Sequence, residues 1–479
     1  MRKFLSIILV LFLLCSTVGC DPMEDKKNML SSIDNAQKKT ALVENERLSG
    51  TLNVYAFATG IPSQDELQKA EDLYQKLFPN VELKIDQIVN ESGTVEEVYE
   101  SMAKLQSEIM VGKGPDVIWV PGEIVDPYKT VEAGAYLNLY DYFDNDPYFN
   151  PDDFNMSVIQ GDQPNGQIYI VPLSYNVPLF LTIESVINQT GFQVSKCRDY
   201  FSCGAEISRV MDENKMRCPT PQSIDQFFLP YLCPQYTGID WIDYQENKVD
   251  LTGPQTVKAF EMVKDQFFQN RIVRNDGFFP RREYYTCLKQ FQNNEVMFAE
   301  ETSSCLKSLI TDVRALAGSN EIPVIFPWRD VNGKIQSKSI DCVAVTRSCK
   351  NQEAAYQFVK MMMCPEYVSI LDEDTSIILQ EVPINYQSVR NYLEGKKNDD
   401  KINYEEYNGE AVVGLPLQGL EDTFIDEYMN FLYEVDGTSY DTSIWYTLRD
   451  MILPAYQNEK SLNSCLKEAQ AKLSIYVSE

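Results

Sequence analysis

One stretch of this chain admits few folds. Val111-Gly112-Lys113-Gly114-Pro115-Asp116-Val117-Ile118-Trp119-Val120 joins the end of a helix to a strand through a glycine–proline turn. Gly112 and Gly114 stop the helix, and Pro115 cannot continue it. Val117 to Val120 is an apolar run, β-branched at three of four positions, the pattern of a strand covered on both faces. Upstream, Thr51 to Phe57 reads as a first strand. Ser63-Gln64-Asp65-Glu66 is a capping box, and Leu67, Ala70, Tyr74 and Leu77 share one face of the helix it opens. Val81 to Ile85 alternates as a second strand. Thr94-Val95-Glu96-Glu97 opens another helix, with Val98, Met102, Leu105 and Ile109 as its stripe. The order is βαβαβ, which specifies a parallel sheet with crossover helices. Ligands of such sheets sit beyond the carboxyl ends of the strands. Trp119, Pro121, Gly122 and Glu123 therefore fall beside a candidate cleft.

At 479 residues the chain exceeds one ordinary domain, so two lobes are expected. The formal net charge of −29 argues against nucleic acid or an anionic membrane surface as partner. There is no histidine, which removes Ser-His-Asp and Cys-His catalysis and every histidine-based metal site. No cofactor or metal is expected. An enzyme would be left with carboxylate chemistry, such as a glycosidase pair. Among 71 acidic residues a chance pair is easy to find, so none is singled out. A Gly-x-x-x-x-Gly-Lys-Ser/Thr phosphate loop is absent, so the chain is not an ATPase of that type.

The amino terminus carries a basic Met1-Arg2-Lys3 and an apolar run, Phe4 to Leu14, too short to span a bilayer. Thr17-Val18-Gly19-Cys20 resembles a bacterial lipobox, with Thr17 where leucine is usual. On that reading residues 1–19 are a lipoprotein signal peptide and Cys20 is the lipidated first residue of the mature chain. The alternative is an ordinary secretory signal beside a stray cysteine. Residues 20–49 are polar and read as a flexible tether. The expected location is the extracytoplasmic face of the cell membrane, held by lipid. Beyond Cys15 and Cys20 there are Cys197, Cys203, Cys218, Cys233, Cys287, Cys305, Cys342, Cys349, Cys364 and Cys465, with no C-x-x-C pair. Their even count permits disulfides in an exported protein, most readily within the loop-rich cluster that runs from Cys197 to Cys233. Buried free thiols are the competing reading, as for Cys465 on the apolar face of a helix.

Further motifs appear in order. Gly114 to Val120 is a glycine-proline-aspartate strand, and Gly166-Gln167-Ile168-Tyr169-Ile170-Val171-Pro172 a glycine-x-isoleucine-tyrosine-x-x-proline strand. A long helix over Phe260 to Val273 follows Trp241-Ile242-Asp243-Tyr244. Phe291 to Phe298, Ile322 to Trp328, Cys342 to Val345, Lys350 to Ala355 and Val382-Pro383-Ile384-Asn385 complete the set. In this sequence and spacing the chain resembles the family 1 extracellular solute-binding proteins of ABC importers, the maltose-binding-protein-like group, across nearly all of Thr51 to Glu479. Asn294, where the family has glycine, and the insertion from Gln193 to Gln235 depart from its pattern.

The resemblance implies an α/β, two-lobe periplasmic-binding-protein fold (type II), with a ligand cleft between lobes joined by several hinge crossings. Lobe one is expected over 50–157 plus 331–377, and lobe two over 158–330 plus 378–479. The crossings would fall near Met156 to Ile159, Trp328 to Gly333 and Asp372 to Ile377. The implied function is a lipid-anchored, non-enzymatic receptor that closes on a carbohydrate, an oligosaccharide by preference, and presents it to membrane permease subunits. A monomer is expected. A sensor partner of a membrane kinase and a surface glycosidase are the alternatives. Sugars need aromatic faces for their rings and carboxylates or amides for their hydroxyls. Positions matching the family's site loops supply Trp119, Glu123, Ser174, Tyr175, Asn176, Trp241, Glu300, Glu301, Thr302, Asn385 and Tyr386 as ligand-binding candidates. The aromatic residues of the 144–153 loop and its flank, Tyr148, Phe149 and Phe154, read as packing.

Overall fold

The structure, a computed structural model, describes residues 42–58, 64–89, 95–121, 130–131, 133–161, 163, 166–214, 237–243, 246–267, 297–298, 306–373, 381–407, 410–439 and 443–478. The signal peptide, most of the tether and Cys20 lie outside them. No helix among the described residues is long and apolar enough to cross a membrane.

The first strands follow the sequence pattern. β1 (Gly50–Ala58), α1 (Gln64–Leu77), β2 (Val81–Val89), α2 (Val95–Met110) and β3 (Val117–Pro121) alternate as expected. β1 pairs in parallel with β2 from Gly50 and Val81 to Ala58 and Val89, and with β3 from Val54 and Val117 to Ala56 and Trp119. Gly112 ends α2 in the left-handed region, at φ +71°. Gly114 is required by contact, since a Cβ there would lie 2.6 Å from the Ile109 side chain. Asp116 then accepts hydrogen bonds from the Asn53 backbone N–H at 2.9 Å and the Asn53 amide at 3.0 Å. The glycine-proline-aspartate turn thus docks the start of β3 onto β1.

The sheet has seven strands, in the order β10-β4-β9-β3-β1-β2, with β13 also pairing to β9. β9 (Ile335–Val345) lies antiparallel between β3 and β4 (Ile170–Asn176). β10 (Val382–Pro383) borders β4, and β13 (Val435–Ser439) runs parallel to the first half of β9. β4, β10 and β13 fall in the ranges expected for lobe two, yet they share one sheet with β1, β2 and β3. Local sequence does not name a strand's partner: β4 and β13 pair with the distant β9, and β10 with β4. α4 (Met156–Gln160), where a crossing was expected, instead packs against β4 and β13. Gly161 permits this approach: a Cβ there would lie 2.5 Å from the Thr438 nitrogen.

The chain leaves the sheet through Val177 and Pro178, between β4 and β5 (Leu179–Ile183). It returns through Trp328 to Lys334, between β8 (Pro323–Pro327) and β9. The two passages touch, with the Trp328 N–H donating to the Pro178 carbonyl at 3.0 Å. The third expected crossing leaves the described residues after Glu373.

Two of the hydrophobic clusters among the described residues flank the candidate site. One holds Phe57, Leu105, Ile118, Val120, Ile170 and Cys342 around the large sheet. The other holds Phe180, Tyr200, Trp241, Phe260, Trp328 and Leu466, beside the antiparallel β5–β8 pair. Its helices are α6 (Tyr200–Asn214), α7 (Pro254–Phe267), α13 (Ser443–Tyr456) and α14 (Leu462–Ser478). Cys197, Cys203, Cys342, Cys349, Cys364 and Cys465 are buried and unbonded, Cys465 within the second core. Cys218, Cys233, Cys287 and Cys305 lie outside the described residues.

Candidate functional site

β1, β3 and β4 all point the same way, because β3 and β4 are both antiparallel to β9. Their carboxyl ends, Ala58, Pro121 and Asn176, therefore share one edge of the sheet. The crossing to the second core starts from this edge, at Val177. Glu123, Glu300, Glu301 and Thr302 lie outside the described residues.

Trp119 is buried, at 1% exposure, and is a core residue of β3. Its indole N–H donates to both carboxylate oxygens of Asp341, at 2.9 and 2.8 Å. Burial pushes the Asp341 carboxyl up to about 7, against the pull of the Trp119 hydrogen bond; Glu66 adds to the rise. Asp341 sits directly opposite Pro121 on β3 and Ser174 on β4. The ladder slips on both sides of Ser174, pairing Pro172 with Cys342, Ser174 with Asp341 and Tyr175 with Ser339. Such irregularities re-aim side chains at strand ends. Ser174 is half-buried here and available. Asp341 was not among the expected residues. Its signal in the sequence was a single carboxylate directly before the apolar run Cys342-Val343-Ala344-Val345.

Tyr175 points into the interior. It is fully buried, its hydroxyl accepts from the Asn155 amide at 3.2 Å, and burial pushes its phenol well above the ordinary range. Asn155 also donates to the Leu432 carbonyl at 3.3 Å and caps α4. Asn385 is buried at 1% and spends its side-chain oxygen on capping α11 (Tyr386–Glu394), accepting from the Ser388 N–H at 3.1 Å. Tyr386 is half-buried and meets Tyr433 edge-on, with ring centroids 4.5 Å apart. Tyr433 ends α12 (Asp422–Tyr433) and was not anticipated, because nothing local marks it as a partner of Tyr386.

Asn176 is the last residue of β4, and is 6% exposed. Its side-chain oxygen is buried without a hydrogen-bond partner among the described residues. Such an atom costs about 1–3 kcal/mol unless something satisfies it. Ser174 and Asn176 thus stand at the end of β4, while Tyr175 turns to the other face, where Asn385 and Tyr386 lie toward the start of the strand. Trp241 is not with them: it is buried at 3% in the second core.

The family of bacterial extracellular solute-binding proteins matches residues 93–391, more than half of the chain. The chain belongs to this family. Solved solute-binding structures have the same two-lobe fold. The sugar-binding protein MalE of Xanthomonas citri is 13% identical, with a TM-score of 0.62, over 90% of this chain and 98% of that one. The substrate-binding protein Lmo0181 of Listeria monocytogenes, in complex with cycloalternan, is 13% identical with a TM-score of 0.53, over 90% and 99%. A cyclic alpha-maltosyl-1,6-maltose binding protein from Arthrobacter globiformis is 13% identical with a TM-score of 0.54, over 90% and 99%. No curated protein matches the sequence.

Proposed function

We propose that this chain is the carbohydrate receptor of an ABC importer, closing two lobes about an oligosaccharide and delivering it to permease subunits. It is held at the extracytoplasmic face by lipid on Cys20. The observation that carries the ligand site is the unpartnered, buried oxygen of Asn176 at the point where the chain passes from one core to the other. A sugar hydroxyl donates to an oxygen so placed. Ser174 lies two residues away on the same strand. Glu123, Glu300, Glu301 and Thr302 are further ligand contacts on this reading, by their match to the family's site loops. Trp119, Tyr175 and Asn385 support it from behind. That neighbours of the same fold are named for maltose-type and cyclic glucans supports the carbohydrate class. The first lobe is the seven-stranded sheet with its helices, and the second is built on the β5–β8 pair.

The test is a thermal-shift series over linear and cyclic oligosaccharides. At least one should raise the melting temperature in a concentration-dependent way without being consumed. Asn176→Ala should weaken that ligand by about tenfold, the equivalent of a lost buried hydrogen bond. Silence across all sugars would sink the carbohydrate class, and an unchanged affinity in Asn176→Ala would move the site.

A further inference from the structure

At the opposite end of the large sheet, helix α3 (Tyr140–Asn145) and its following loop face the first half of α9 (Gln352–Met363). The Leu139 N–H donates to the Ile168 carbonyl, just ahead of β4, and the Leu137 N–H to the carbonyl of Val345, the last residue of β9. This end is therefore remote from Pro121 and Asn176. Between helix and loop lies a cavity of about 450 Å³. Three tyrosines wall it. Tyr356 is buried, Tyr142 leans on it with centroids 5.4 Å apart, and Tyr148 stands 42% exposed. The expectation that this loop's aromatic residues pack fits Phe149 and Phe154, which stack at 4.9 Å, but not Tyr148.

The hydrogen-bonding valences decide what fits. The Tyr142 hydroxyl donates to Gln352 at 2.9 Å and the Tyr356 hydroxyl to Asp146 at 2.9 Å. The Asn145 amide donates to the Asp141 carbonyl at 2.7 Å, and the Gln357 amide to Glu353 at 3.0 Å. Asp146 is neutralised from behind by Lys360 at 2.6 Å. The carboxylates of Asp141 and Glu353 remain on the lining, and no lysine or arginine shares it. The Tyr142 and Tyr356 hydroxyls are engaged inside the protein, and the lining adds aromatic faces and the two anionic acceptors. A cation that only donates is well served, over the ring faces and between the carboxylates.

We propose that this cavity is a second ligand site, for a small molecule bearing an alkylammonium or guanidinium group. It does not depend on the carbohydrate reading. Isothermal titration with agmatine at low salt should give a saturable heat, absent with the neutral 1,5-pentanediol and reduced by added salt. Asp141→Asn with Glu353→Gln should weaken agmatine by about fivefold or more. Both side chains are exposed, so folding should persist, and thermal shifts with sugars should be unaffected. The control pair Glu44→Gln with Glu46→Gln, equal in charge change, should bind agmatine as the parent does. No saturable heat, equal binding of the diol, or equal loss in the control pair would each overturn the proposal.

Discussion

The pair Trp119 and Asp341 shows what a single residue does here. The carboxyl titrates near 7 rather than near 4, so the folded protein holds a proton there that the unfolded chain has lost. Stability from this group is therefore present at acid pH and falls as pH rises from about 4 to about 7. Asp341→Asn, which keeps an acceptor for the indole, should stabilise the protein at pH 8 by about 1–3 kcal/mol. The gain should vanish near pH 4. Melting temperatures across that range check both ends. Trp119 could be read from sequence as strand, but not as core or cleft, because its acceptor is 222 residues away. For Asn176 the strand-end position was legible and the unpartnered oxygen was not, since burial depends on β9 and β5. Tyr175 was placed in the site by its neighbours in sequence; strand alternation turns it to the opposite face, onto Asn155.

At the scale of elements, local patterns were read well and distant pairings were not. β1 to β3 with their helices follow from capping boxes, apolar stripes and the glycine–proline turn. β4 carries as good a strand pattern, but β10 is only Val382-Pro383 and β13 is Val435-Asp436-Gly437-Thr438-Ser439, so neither is marked locally and β9 defines them. The joint between α9 and the 144–153 loop makes a second case. Lys360 and Asp146 are 2% and 7% exposed, and the Tyr356 hydroxyl and Tyr148 N–H complete the carboxylate's shell. Burial would raise the Asp146 carboxyl, but these bonds outweigh it and hold it below its ordinary value. Lys360→Met leaves that charge buried and unpaired, and should cost about 3–5 kcal/mol in denaturant unfolding. Adding Asp146→Asn should recover part of the loss.

For the whole molecule, the two cores meet through Val177-Pro178 and Trp328 to Lys334. Asp330 organises the second passage, accepting from the Asn332 N–H at 2.7 Å and the Lys334 N–H at 2.9 Å. Gly333 turns there at φ +78°. Gly333→Ala should strain this turn by about 1–2 kcal/mol. It should shift ligand affinity if the passage is where closure occurs, and small-angle scattering should show a smaller radius with ligand than without. A separate antiparallel hairpin is formed by β11 (Lys401–Tyr407) and β12 (Glu410–Leu417). It lies against α8 (Leu306–Gly318), where buried Arg314 donates to the Gln418 carbonyl at 3.0 Å and pairs with Asp399 at 3.1 Å.

The position of β9 also governs the order in which the chain can assemble. β3 and β4 have no ladder with one another; each pairs with β9. Until residue 345 is available, the earlier strands leave a slot one strand wide, flanked by two apolar edges. Folding must therefore wait on a late segment, through closures of large loops, and should be slow for its size. A fragment of residues 44–330 should show no cooperative melting and should aggregate through those edges. A peptide of residues 335–345 added in trans should suppress that aggregation by filling the slot. Light scattering of the fragment, with and without the peptide, separates a missing strand from a general failure to fold.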